Sequence, residues 1–235
     1  KFDVFSMEKY LIAVRNIYLV CLMYILMYIV LTFNSNYQQI QLSKQLYIVK
    51  NVVKSFVLLY LGIFASIDFI RFIQNDYYEM NLVYYYASLY VANDLTALLI
   101  VPNLPNTTKI HHQITCAFLL YTLHVDFNSV ENVGQLLFIY TIFSSYAFLV
   151  NFYLGMRFLK NDNNTKTYLN DIIDYSKKYA YYIYFVSCII NWSIQLTIMS
   201  YRMYNGIINL HYVLYSGLLY FIITDDIILM NWLKN

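Results

Sequence analysis

The chain has 235 residues, of which 60% are hydrophobic and 12% charged, with a formal net charge of +2. Soluble domains carry about 25% charged residues, so water is not the main solvent of this chain, and a mean hydropathy of +0.50 agrees. No run of Lys or Arg is present, which removes the electrostatic footprint of a nucleic-acid binder. With 5 glycines and 2 prolines, apolar stretches are seldom interrupted and run as long helices. That excludes an outer-membrane barrel, whose segments alternate over roughly ten residues. The fold class is all-α, a polytopic transmembrane helical bundle.

A span of roughly 20 apolar residues crosses the hydrocarbon layer, and seven stretches meet that measure. In chain order they are Tyr10 to Phe33, Val49 to Ile73, Leu82 to Val101, Ile110 to Val125, Val133 to Phe158, Ala180 to Tyr201 and Ile207 to Trp232. Residues 1–44 hold the first span, and residues 45–235 form a six-helix bundle. The fourth span is short and begins earlier or tilts little. The longest connection, Lys160 to Lys178, is rich in Asn, Asp and Lys. Two tyrosine clusters, Tyr84-Tyr85-Tyr86 and Tyr179 to Tyr184, fall at span ends and read as headgroup anchors. The cysteines Cys21, Cys116 and Cys188 lie far apart inside apolar stretches and read as buried or lipid-facing thiols. Lys1 in place of a methionine is compatible with a removed leader or with a trimmed chain.

Lysine and arginine in short loops set the orientation. Seven spans put Lys44, Lys109, Arg157, Lys160, Lys166, Lys177, Lys178 and Lys234 on one side and Lys1, Lys9, Arg15, Arg71 and Arg202 on the other. The C-terminus is then expected in the cytosol or its equivalent. The sequons at Asn106 and Asn163 face the same compartment and that at Asn191 lies within a span, so none is expected to be glycosylated.

Ionisable groups inside spans are expensive, and each is paired within the bundle or part of a site. The informative residues are Lys54, Asp68, Asp94, His111, His112, His124, Asn151, Asn191, His211, Asp225 and Asp226. Asp94 precedes the end of span three by about two turns, and His111-His112 open span four. An antiparallel pair places them at similar depth, where a carboxylate fixes the tautomer of an imidazole and raises its basicity. The competing reading is an interhelical hydrogen bond without chemistry. Adjacent histidines diverge by about 100° on a helix, and no His/Asp/Glu spacing of three or four recurs, so no metal and no cofactor is expected. Asp68 and Arg71 are one turn apart and are expected to pair. Asp225 and Asp226 are expected to reach the interface together. A retinal protein is excluded because Ile207 to Trp232 contains no lysine for a Schiff base.

The segment Asp94-Leu95, Pro102 and Lys109-Ile110-His111-His112-Gln113-Ile114-Thr115 resembles the central motif of the TLC-domain family of membrane proteins, which includes the ceramide synthases. Gly134, Ser144-Ser145, Asn151 and Arg157 look like the downstream run of its non-ceramide-synthase branch. The resemblance covers roughly residues 45 to 232, and its specific part is Asp94 to Thr115. It implies a seven-span bundle in the endoplasmic reticulum or another endomembrane, with an organelle inner membrane as the alternative. It also implies a site in which His111 or His112 acts as base or transient acyl acceptor on a fatty acyl donor, oriented by Asp94. Tyr140, Ser144 and Asn151 would hold a lipid headgroup.

Ceramide synthases carry a His-Asp pair in the following helix, whereas Phe138 to Ser145 here holds neither acid nor histidine. N-acyl transfer to a sphingoid base is therefore not expected. Three readings follow: a TLC-type protein that binds, senses or distributes membrane lipids, a TLC-type acyltransferase with a reduced motif, and a non-catalytic accessory subunit of a larger membrane complex. Homo-oligomers also fit, because lipid-facing and protein-facing apolar surfaces look alike in sequence.

Overall fold

A computed structural model describes residues 4–75, 77–160, 168–207 and 209–235. Every regular element among them is helical: α1 (Val4–Thr32), α2 (Ser35–Gln38), α3 (Leu42–Asn75), α4 (Met80–Ile100), α5 (Asn106–Thr122), α6 (Gly134–Ser145), α7 (Phe148–Met156) with a 3-10 turn (Arg157–Leu159) at its end, α8 (Tyr168–Tyr204) and α9 (Leu210–Lys234). In lipid every backbone N–H and C=O must be satisfied within its own segment, which is why long apolar stretches settle as helices. Four of them, Met7–Thr32, Leu42–Asn75, Tyr168–Tyr204 and Leu210–Lys234, are by themselves long and apolar enough to cross a membrane. The bent pair α6 and α7 makes a fifth if it counts as one span.

The two remaining long helices differ for physical reasons. Nearly all of α4 from Val83 to Asp94 is buried, because it packs against α1, α3, α5 and α6. A helix lined by protein rather than lipid can carry Asn93, Asp94 and Thr96 without facing hydrocarbon. Helix α5 has 17 residues, about 26 Å at 1.5 Å per residue. It begins at Asn106, four residues earlier than the stretch of apolar residues, and ends at Thr122, which leaves His124 exposed in the following turn rather than inside a span.

Consecutive long helices alternate in direction. At one end of the bundle Lys9 Nζ near the start of α1 reaches Leu123 O past the end of α5, at 3.5 Å. At the other end Asn36 Nδ2 in α2 reaches Leu159 O at 3.5 Å. This second end gathers the starts of α3, α5 and α8 with the ends of α4, α7 and α9.

Three expectations change. The span Val133 to Phe158 is broken: α6 and α7 meet at 45°. Ser145 Oγ caps Ile142 O at 2.5 Å, and the amides of Tyr146 and Ala147 turn back to Phe143 O and Ser144 O, so the Ser144-Ser145 pair draws the ladder into a tight turn, a recognised cause of kinks. The polar connection before span six is largely helix, since α8 starts at Tyr168 and runs 37 residues. The tyrosine clusters are only partly surface anchors. Tyr84 and Tyr86 are buried, donating to Val125 O at 3.0 Å and Asp68 Oδ2 at 2.5 Å, whereas Tyr179 and Tyr182 remain exposed.

Helices in lipid gain little from hydrophobicity alone and associate by close packing and hydrogen bonds. Asn16 of α1 donates to Ser88 Oγ at 2.8 Å and to Tyr85 O at 3.0 Å on α4. Gly155 of α7 lies so close to α3 that a Cβ there would stand 3.0 Å from Val52 Cγ2 and 3.1 Å from Ile48 O. That crossing locks α7 onto the turn of α3 that carries Lys50.

Candidate functional site

Asp94, fully buried on α4, is the hub of a polar centre formed by three helices. Its Oδ1 lies 2.5 Å from Lys54 Nζ of α3 and 3.1 Å from His112 Nδ1 of α5. Its Oδ2 accepts a hydrogen bond from Thr115 Oγ1 at 2.9 Å, and Thr115 also reaches His112 O at 2.9 Å. The antiparallel arrangement of α4 and α5 thus brings the aspartate and the histidine to the same depth. Lys54, one of the charged residues singled out in the second span, supplies the compensating charge. With Asp94 matched by Lys54, the centre balances as an ion pair, and His112 sits against it as a third member.

His112 is 2% exposed. Its Nδ1 contact with Asp94 is close but not aligned as a hydrogen bond, and its Nε2 has no protein partner. His111 projects elsewhere, with Nδ1 at 3.4 Å from Asp225 Oδ2 of α9. The two rings are nevertheless neighbours, with centroids 5.8 Å apart.

One ligand atom each from Asp94, His111 and His112 fall within 4.8 Å of one another. Contrary to expectation the adjacent histidines do converge, because side-chain length brings back together what the backbone spreads by about 100°. What opposes a cation is Lys54, whose ammonium already occupies Asp94 Oδ1. A metal would have to displace it or bind beside it.

The centre opens into a cavity of about 310 Å³. His111, His112, Tyr140, Ser144 and Asn151 all line it, so five of the six expected site residues share one space and Asp94 stands behind them. Tyr140 is buried with its hydroxyl unpartnered, and Asn151 Nδ2 is held by Ala147 O at 3.0 Å. The kink after Ser145 swings α7 so that Ser144 and Asn151 face the same space. Residues that sequence reasoning left without a role there are Lys50, Lys54, Arg157, Tyr184 and Asp226. The i,i+4 spacing of Lys50 and Lys54 was the signal that both lie on one face of α3.

The two acids of α9 separate. Asp225 faces His111, while Asp226 is buried and accepts from Tyr184 Oη at 2.6 Å. Adjacent positions on a helix point about 100° apart, so they do not reach the interface together. Asp68 and Arg71 pair at 2.9 Å, as their spacing implies. His211 is exposed, with its ring tilted against that of Tyr121 at 5.6 Å, outside the cavity lining. Asn191 is buried and lines the cavity. Asn106 is exposed at the first turn of α5, and the sequon at Asn163 lies outside the described residues.

Comparison with family models, with curated proteins and with solved structures finds no match for this chain.

Proposed function

We propose that this chain is a TLC-type integral membrane protein that crosses the bilayer seven times, counting α4, α5 and the bent α6–α7 pair as spans. Its C-terminus would face the cytosol of an endomembrane such as the endoplasmic reticulum, or the equivalent side of an organelle inner membrane. It would hold a membrane lipid in the bundle with an ester or acyl carbon beside His112.

The observation that carries this reading is the unpartnered Nε2 of a buried His112 whose side chain lines the cavity. A buried polar atom in hydrocarbon surroundings is costly unless a partner meets it, and a bound molecule is the partner that the cavity admits. As base, His112 Nε2 would take a proton from an attacking hydroxyl or amine. As acyl acceptor, Nε2 would bond to the acyl carbon while the donor's ester bond breaks, and its oxygen would leave with the proton given up by the imidazole ring. A second nucleophile would then collect the acyl group.

The test is mass spectrometry of lipids and acyl adducts that co-purify in mild detergent, comparing wild type with His111→Ala and His112→Ala. A selectively retained lipid or acyl-histidine that His112→Ala removes is the expected result. Bulk lipid alone, unchanged by both substitutions, would replace this reading with that of a structural subunit in a larger complex.

A further inference from the structure

The carboxylates at and behind the cavity are all committed. Asp94 is paired with Lys54, Asp225 faces His111 and Asp226 accepts from Tyr184. Two cations lining the same space have no such match. Lys50 is 4% exposed, and its ammonium has a single hydrogen bond, to Asn51 Oδ1 at 3.3 Å. Among the described residues no carboxylate lies within ion-pair distance of it. The half-buried Arg157 has its guanidinium over the rings of Trp232 and Phe158, 4.6 and 4.8 Å from their centroids. It too forms no ion pair among the described residues.

A buried ammonium facing a cavity without a counter-charge is an incomplete ion pair, since isolated buried charge is tolerated only when matched. The close crossing at Gly155 seats the end of α7 on the Ile48–Val52 turn of α3, and both cations line the cavity beside it. They come from different helices at the end of the bundle where α3 and α5 start and α7 and α9 finish. Lys50 precedes Lys54 by one turn, a rise of about 6 Å along α3. An anion on Lys50 therefore lies about one turn from the Asp94–His112 centre, nearer the bundle end.

We infer that Lys50 and Arg157 form the subsite for the phosphate of an anionic glycerolipid, with the glycerol ester groups carried inward toward His112. Resting on the lipid-binding reading above, this names the class of lipid. Phosphate suits the pair because its oxygens can meet two cations approaching from separate helices, and Arg recognises phosphate with a bidentate fork.

The test uses the whole protein purified in dodecyl maltoside, with native mass spectrometry after addition of dioleoyl phosphatidic acid, dioleoylglycerol or oleate, each with and without inorganic phosphate. Phosphatidic acid should be retained over dioleoylglycerol, whose acyl chains are the same. Lys50→Met and Arg157→Gln should each reduce that preference about tenfold, as expected for loss of one charge-assisted contact, and Lys50→Arg should keep it. Circular dichroism and gel filtration establish that each variant is folded, and Lys50→Arg separates loss of charge from loss of shape.

Equal retention of dioleoylglycerol, unaffected by Lys50→Met, would overturn the anion subsite and leave the lipid-binding reading standing. Retention of oleate as strong as that of phosphatidic acid would overturn the phosphate assignment. Binding of inorganic phosphate that displaces the lipid whatever its chains would give the subsite to a free anion and overturn the lipid source. Retention of none of the probes would overturn both readings together.

Discussion

The two ends of the bundle both bury basic side chains, and they use them in opposite ways. At the end opposite the cavity, Arg202 of α8 is 4% exposed and three hydrogen bonds hold its guanidinium: it bonds to Tyr212 Oη, reaches Asn132 O at 3.2 Å and meets Gln135 Oε1 at 2.5 Å. Those partners tie α8 to α9, to the loop before α6 and to the first turn of α6. At the cavity end Lys50 is as deeply buried but has one hydrogen bond, to Asn51 Oδ1, and the Tyr47 ring 5.8 Å from its ammonium, and it lines the cavity. Burial of a charge is thus a poor pointer to function. The number of its donors already used decides whether it is a clamp or a receptor.

Lys54 adds a third case, a cation matched by an acid, and the largest effect should come from it. Lys54→Met strands a buried Asp94 and should cost about 3–5 kcal/mol in unfolding measured by SDS titration in mixed micelles. The double variant Lys54→Met with Asp94→Asn should recover most of that loss. If Lys54→Met alone were neutral, the ion pair would not be the keystone of the centre.

Arg202→Met should follow, at about 1.5–3 kcal/mol for hydrogen bonds to a charged group, with no change in lipid retention. A change in lipid retention would erase the contrast between the two ends. Gly155→Ala should cost about 1–3 kcal/mol by overpacking the α3–α7 crossing. Unlike Arg202→Met, it should also weaken retention of phosphatidic acid, because it displaces Arg157 from Lys50. The smallest effect is Thr115→Val, which removes one hydrogen bond to Asp94 between helices and should cost about 0.6 kcal/mol. Its value lies in showing that such a bond is minor beside the charges.

Legibility in the sequence varied with range. The helical class and the presence of the first and last apolar helices follow from runs of apolar residues, a local property, whereas their ends shift by several residues, α1 starting at Val4 and α9 at Leu210. The approach of Asp94 to His112 follows from a short connection between antiparallel helices, which is nearly local. Tyr140, Ser144 and Asn151 line one cavity, and the physical cause is the kink after Ser145, which hydropathy does not register. The burial of Tyr84 and Tyr86 was illegible for a related reason. A tyrosine at a span end looks the same whether its hydroxyl meets water or, as for Tyr86, an Asp68 some 18 positions away.

By itself, then, the sequence determined the solvent of this chain, its helical state and the short list of polar residues that a bilayer would not tolerate unmatched. Those are one-dimensional facts, because apolar length and the cost of burying charge are properties of residues and of their spacing. Only the tertiary structure decided which charges are matched. Lys54 is 40 positions from Asp94, Lys50 is one turn from Lys54 and lines the cavity, and Arg202 is met by neutral groups on a loop, on α6 and on α9. Pairing across helices depends on crossing points such as Gly155 and on the bend between α6 and α7, and nothing in the local composition of α3 distinguishes its two lysines.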